Sequence, residues 1–265
     1  MSQVYVRDVY AKLNEIAPVA MKMDFDNVGL LVGRREREVS RVLVALDITE
    51  DVLDEAIALG AELIVAHHPL IFTPLRAVTD EDPTGRMVLR LARHDMAAIC
   101  MHTNLDAAQG GVNDELAHAV GLSETEIVMP LGELDGVPYG LGRVGNLPAP
   151  LSMADFLEQV KAGVKTRGLR YVDGGRAVSR VAVMGGSGSD GLQLAVRAGC
   201  DTYVVGEAKY SAFLEARSLG VNLIEADHFC TEDVMSEPLG QMISEAFPGL
   251  AVTVSQRLDQ TVRFF

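Results

Sequence analysis

Short apolar runs of strand length recur along this chain, and several end on a residue that can bind a metal. Val42–Leu46, Leu63–Ala66, Ala97–Met101, Thr202–Val205 and Val221–Glu225 are rich in Val, Ile, Leu and Ala, and segments of helical spacing separate them. Continuous apolar runs this short suit strands buried on both faces, and their alternation with helices favours a largely parallel sheet covered by helices. In such sheets the residues just beyond the strand ends converge on one edge. Here those residues are His67 and His68, His102, the pair Gly206-Glu207, and His228.

The pattern predicts a first helix over Val4–Ile16 and a helix after Asp47 that runs through Ala58, capped by Thr49 or Asp51. It predicts another from Thr84 or Gly85 to near His94, and one from Asn113 that stops before Gly121. Composition then shifts. Gly132–Pro150 holds several glycines and prolines, which read as turns around a short strand at Tyr139–Val144. Ser152 caps a helix through Val160. Strands follow at Leu169–Val172 and Val181–Met184, then Gly185-Gly186-Ser187-Gly188-Ser189 and a helix through Ala198. A helix near Ser211–Leu219 and a last one over Thr231–Ala246 complete the helical set, with closing strands at Val252–Ser255 and Thr261–Phe264. The expected fold is α/β, with two similar α/β lobes flanking a dinuclear-metal cleft. The first lobe covers residues 1–127, completed by 236–265, and the second covers 128–235.

The chain has 265 residues, 48% of them hydrophobic, which is enough for one large domain or two small lobes. Its formal charge of -14 argues against a general nucleic-acid surface, because phosphate binding draws on clustered Lys and Arg. A nucleotide met locally by metal ions remains compatible with that charge. No basic-plus-apolar leader is evident and no apolar run is long enough to span a bilayer, so the expected location is the cytoplasm, without a membrane partner. Cys100 and Cys200 sit in apolar contexts and read as packing residues. Cys230 lies between His228 and Glu232, where a metal role competes with packing.

Imidazole and carboxylate groups at these strand ends are suitable donors for zinc, iron or manganese. On a regular strand His67 and His68 would face opposite ways, but a turn at a strand end can aim both into one site, and Pro69 biases His68 toward an extended or turn conformation. The competing reading is one packed and one exposed histidine. Asp106 follows another apolar strand and can ligate or cap a turn. His102 can orient a ligand, carry a proton, or be a satisfied core histidine. His228 and Glu232 stand four residues apart, on one face if a helix begins there, or form a surface contact. Glu207 is a candidate for proton transfer, or a turn carboxylate. The glycine-rich segment 185–189 lacks Gly-Lys-Ser/Thr, so it is not a Walker A loop; it can offer N–H groups to phosphate or make a tight turn.

These motifs, in this order, resemble the GTP cyclohydrolase 1 type 2-like dinuclear-metal family. The marks are Asp26-Asn27-Val28-Gly29-Leu30, Ala66-His67-His68-Pro69-Leu70, Thr103-Asn104-Leu105-Asp106, Gly111-Val112-Asn113-Asp114, Gly142-Arg143-Val144-Gly145, Gly185-Gly186-Ser187-Gly188 and His228 through Glu232. The resemblance covers nearly the whole chain. It implies two divalent metal ions per subunit, with His67, His68, Asp106, His228 and Glu232 as ligands, Asp106 and Glu232 touching both ions. It also implies a homohexamer, a trimer of dimers. Many members carry Trp where Phe25 stands, Gly where Asp227 stands and His where Ser211 stands.

The resulting expectation is a dinuclear-metal-dependent hydrolase that uses metal-activated water on GTP or a related nucleotide, with Glu207 or His102 moving the proton. The rivals are a metal-dependent phosphoesterase and a non-enzymatic metal-binding regulatory or interaction protein.

Overall fold

The computed structural model describes residues 3–263. The chain divides into two compact units, Met1–Leu105 with Ser236–Asp259, and Asp106–Met235 with Gln260–Phe265. Each unit is a sheet with helices, so the expected mixed α/β fold is observed. The two sheets nevertheless differ in topology.

In the first unit a five-stranded sheet runs in the order Ala251–Val254, Arg41–Ala45, Leu63–Ala66, Ala97–Cys100, Gly29–Val32. The first four strands are mutually parallel, and Gly29–Val32 is antiparallel to its neighbour. The helix Glu50–Leu59 starts where the Thr49 hydroxyl accepts the Val52 N–H, and it stops at Gly60, whose φ of +66° is the left-handed conformation that ends helices. The helix Pro83–Arg93 begins one residue before the expected Thr84 and is capped by Asp82. Leu43, Val52, Leu53, Ile64, Leu91 and Ala98 form the core on one side of this sheet. The return segment is tied in by Glu55, whose buried carboxylate accepts the Gln256 and Arg257 N–H groups and the Ser255 hydroxyl.

In the second unit a six-stranded sheet runs in the order Ser123–Leu134, Val137–Leu151, Val178–Ser187, Thr202–Glu207, Asn222–Glu225, Arg170–Val172. Only the three strands Val178–Ser187, Thr202–Glu207 and Asn222–Glu225 are mutually parallel; the flanking pairs are antiparallel. Alternation along these three strands makes two cores. Val181, Val183, Val204 and Ile224 pack with Leu116, Phe156 and Val160 of the helices Val112–Ala119 and Met153–Gly163. Ala182, Met184, Tyr203, Val205 and Leu223 pack with Leu192, Ala195, Ala212 and Ala216 of the helices Leu192–Arg197 and Tyr210–Leu219. Period-two alternation with both faces apolar is why these runs read as continuous in the sequence.

Three expectations change. The short strand at Tyr139–Val144 is part of a long hairpin that turns at Asp135-Gly136, with φ of +52° and +81°. Both central residues of the turn are left-handed, as in the tight turns that match strand twist. The last helix is two helices, His228–Asp233 and Ser236–Ala246. Residues 261–263 carry no strand, and Phe264, the end of that expected strand, lies outside the described residues. Among the described residues no helix is long and apolar enough to cross a membrane.

Candidate metal centre

The first unit gathers three imidazoles. His67 and His68 follow the strand Leu63–Ala66 directly, and their N–H groups continue its ladder onto Ala45 O and Leu46 O. His102 follows the adjacent parallel strand Ala97–Cys100. Ring nitrogens of His67, His68 and His102 all lie within 4.8 Å of one another. The ring centroids are 5.0 Å apart for His67 and His68, 5.2 Å for His67 and His102, and 5.5 Å for His68 and His102. Parallel strands therefore bring these side chains to one sheet edge, as the apolar runs suggest.

Each ring is oriented through Nδ1. His67 Nδ1 bonds Met101 O at 2.8 Å, His68 Nδ1 bonds Asp47 Oδ1 at 2.7 Å, and His102 Nδ1 bonds Asp26 Oδ1 at 2.8 Å. An oxygen acceptor at Nδ1 keeps the proton on that nitrogen and leaves the Nε2 lone pair for a metal. Asp47 follows the strand Arg41–Ala45, next to the strand that carries His67 and His68. Asp26 precedes the antiparallel strand Gly29–Val32, in which Gly29 pairs with Cys100, so Asp26 arrives beside the end from which His102 emerges. Sequence reasoning assigned neither aspartate a role. The available signal was position alone: Asp47 closes an apolar strand, and Asp26 opens a quoted motif.

The Asp26 side chain is fully buried. Burial raises its carboxyl, but bonds from His102 and the Thr103 hydroxyl, the His102 charge and the Thr103 N–H outweigh that and hold it well below the usual carboxylate range. Asp26→Asn should therefore cost metal-free protein about 1.5–3 kcal/mol at pH 7, the range for hydrogen bonds to a charged group. A depressed folded pKa gives stability that is fully present above the unfolded value, about 3.9 for Asp, and is lost as pH falls through the folded value. In urea titrations the gap between wild type and variant should be flat from neutrality to about pH 5 and narrow below about pH 4. A gap that widens on acidification would contradict this account.

The second unit gathers carboxylates around a fourth imidazole. His228 begins the helix His228–Asp233 just beyond the strand Asn222–Glu225, and Glu232 shares its face, with Nε2 to Oε2 at 3.1 Å. A carboxylate oxygen of Asp106 lies within 4.8 Å of one of Glu232. His228 Nδ1 faces Glu207 Oε2 at 3.3 Å, which repeats the arrangement at the other three rings. Buried Asn113 donates to Asp106 O at 2.9 Å and accepts the Gly185 N–H at 3.1 Å, linking the Asp106 turn to the sheet.

The glycine-rich segment makes room for Glu232. Gly186 has φ +60°, and a Cβ there would stand 2.1 Å from Glu232 Oε1. Its N–H goes to the Thr231 hydroxyl, and that of Gly185 goes to Asn113. Both groups are engaged within the protein, which favours the tight-turn reading over phosphate binding. Cys230 points into the core that contains Phe156 and Val160, and burial together with the Asp227 charge pushes its thiol up to about 11. It is a packing residue, as are Cys100 and Cys200. Ser211 is exposed in the first turn of the helix Tyr210–Leu219. His228, Glu207, Asp227, Arg170 and Val262 help line a cavity of about 430 Å³.

The donor chemistry fits one or two divalent ions: imidazoles with oriented Nε2 atoms in one unit, and an imidazole with two close carboxylates in the other.

The chain is similar to known proteins over nearly its whole length. The Duf34/NIF3 (NGG1p interacting factor 3) family model matches residues 4–260. A GTP cyclohydrolase 1 type 2 homolog of Clostridium perfringens is 34% identical over 260 residues, covering 98% of this chain and 94% of that protein. A homolog of the same name from Lactococcus lactis is 35% identical over 228 residues, covering 84% of this chain and 86% of that protein. Among solved structures, a Bacillus cereus protein related to NIF3 superposes with TM-score 0.92 at 26% identity, covering 100% of both chains. A Staphylococcus aureus hypothetical protein does so with TM-score 0.92 at 29% identity, also over 100% of both chains.

Proposed function

The chain belongs to the Duf34/NIF3 family, and from that premise we propose that it is a dinuclear-metal-dependent hydrolase acting on GTP or a related nucleotide. The observation that supports this most is the repeated orientation of four imidazoles, with the Nδ1 atoms of His67, His68, His102 and His228 each held by an oxygen. A histidine that ligates through Nε2 is oriented by an acceptor at its Nδ1–H in this way.

In this reading the ligands are His67, His68, Asp106, His228 and Glu232. By the resemblance, His67 and His68 would each supply an imidazole to the ions, and Asp106 and Glu232 would each supply a carboxylate to both. When bound, a pair of divalent ions lowers the pKa of water and polarises an electrophile. The chain's own groups do the rest. Asp26 and Asp47 hold the His102 and His68 rings in place. Glu207 orients His228 through Nδ1 and, with its side chain 63% exposed, also presents an oxygen to an incoming proton. His102 is the other proton carrier, at Nε2. Zinc, iron and manganese all suit this donor set. The protein works as a cytoplasmic homohexamer, a trimer of dimers, which a solution mass six times the 28.5 kDa chain would support and a monomeric mass would refute.

Purified, metal-loaded protein should release formate from GTP, because one water adding at C8 opens the imidazole portion of the base to a formamide and a second water hydrolyses that formamide. Phosphate release without formate would favour a phosphoesterase on the same centre. Tight nucleotide binding without turnover, at full metal occupancy, would favour a regulatory or interaction role.

A further inference from the structure

Asp227 has φ +76° and ψ 131°, a backbone conformation that glycine adopts freely and that costs any other residue about 1–3 kcal/mol. A strained non-glycine residue persists where its surroundings hold it, and here its side chain makes two bonds that glycine would forfeit. Oδ1 accepts the Cys230 N–H at 3.1 Å, capping the helix that carries His228 and Glu232. Oδ2 accepts the side-chain N–H of Gln260, 33 positions along the chain. Gln260 is 6% exposed, and its own Oε1 accepts the Val262 N–H at 2.5 Å. Residues 260–263 have no helix or strand to fix their path. Val262 nonetheless lines the cavity of about 430 Å³ that also includes Asp227, His228 and Glu207.

We propose that Asp227 and Gln260 together fix the C-terminal segment as one wall of the cavity beside His228, so that this segment helps determine what the cavity admits. The same carboxylate then sets two things at once: the start of the helix that carries two ligands, and the position of the wall next to them. Strain at residue 227 is offset by both. Gln260 acts as a positioning residue, because its effect on the cavity is exerted through Val262. A ligand reaching His228 is thus bounded on one side by a short stretch of chain that this side-chain pair helps to hold, and loosening the Gln260 end of the pair enlarges access without altering a ligand atom.

The test uses holoprotein and three variants: Gln260→Ala, Asp227→Gly, and a chain ending at Asp259. Two properties are measured, amide exchange at residues 261–263 and the rate at which the chelator 4-(2-pyridylazo)resorcinol strips the bound metal. Gln260→Ala and Asp227→Gly should each speed exchange at 261–263 by about tenfold or more. Gln260→Ala and the shortened chain should accelerate metal stripping severalfold while leaving metal content unchanged. Wild-type exchange at 261–263 in Gln260→Ala would overturn the proposal, as would an unchanged stripping rate in the shortened chain. The stripping measurement rests on the metal reading of His228 and the exchange measurement does not. A protein that binds no metal would therefore sink that reading and leave exchange to decide this one.

Discussion

Replacing Arg143 with methionine is expected to destabilise the second unit by about 3–5 kcal/mol, the cost of breaking a buried ion pair from one side. The Arg143 side chain is 3% exposed and forks onto Asp114, with Nε to Oδ1 at 2.6 Å and Nη2 to Oδ2 at 2.8 Å. Its remaining N–H groups donate to the carbonyls of Gly140, Gly142 and Ala108. One guanidinium thus joins the long hairpin to the helix Val112–Ala119 and to the turn that follows Asp106. Methionine would fill much of the volume but leave Asp114 and three carbonyls without this donor. Asp114 also accepts the Gly110 N–H at 2.8 Å, so its carboxylate cannot swing out to water without breaking that turn. Lysine at this position would be a poor substitute, because a single ammonium cannot reproduce the planar fork. Urea unfolding followed by far-ultraviolet circular dichroism measures the loss. A change below about 1 kcal/mol, the size expected of a surface pair, would refute the assignment.

Gly186→Ala should leave the fold largely intact and cut metal affinity by about 10–100-fold, the range for disturbing groups that orient ligands. The added methyl would lie 2.1 Å from Glu232 Oε1 and 3.4 Å from His228 Nε2. Glu232 is 4% exposed, so the displaced carboxylate has little room to move. The backbone contributes as well, since φ of +60° suits glycine and costs alanine about 1–2 kcal/mol. Competitive metal titration together with circular dichroism separates the two effects. Wild-type affinity in a well-folded variant would show that Glu232 is not held where the ligand reading needs it.

The parts of the fold that were legible in the sequence are those buried on both faces. Leu63–Ala66 and Ala97–Cys100 are fully buried, so their residues are almost wholly apolar and their ends stand out. His67, His68, His102, Glu207 and His228 were legible for the same reason, as polar groups placed where such runs stop, whereas Asp106 and Glu232 lie within the short helices that follow. The hairpin was hidden because much of it is partly or fully exposed and it contains Pro130, Gly132, Pro138, Gly140 and Gly142. Bulged register near Ser123–Glu126 and Pro130–Gly132 breaks the two-residue period further. Its one strong signal, Asp135-Gly136, lies inside a stretch that composition alone marks as turns. The break between the two final helices falls where the chain passes from one unit to the other, at Met235 and Ser236, a tertiary feature with no local mark. Arg143 and Asp114 were visible only as motif residues, because a pairing across 29 positions leaves no periodic trace. Asp26 and Asp47 act through histidines 76 and 21 positions away, and single-sequence spacing carries no information about such partners.

Asp227 gives the opposite lesson. A departure from the glycine that the family resemblance implies here looks in sequence like a change of charge beside a ligand. In three dimensions it is a backbone residue at positive φ whose carboxylate makes two bonds. Phe25, where the family resemblance implies Trp, sits edge-on to Phe72 at 6.3 Å between centroids, and Phe72 in turn lies 6.2 Å from the His102 ring. An aromatic there borders the imidazole cluster, which a smaller ring can do as well as a larger one.

Elemental analysis of the purified protein, alone and as His68→Ala and Glu232→Ala, tests the central claim most directly. Wild type should carry about two divalent ions per chain, His68→Ala about one, and Glu232→Ala close to none, because that carboxylate is proposed to touch both ions. Folded wild-type protein that takes up no ion from a stoichiometric supply would contradict the account, as would two ions retained in Glu232→Ala.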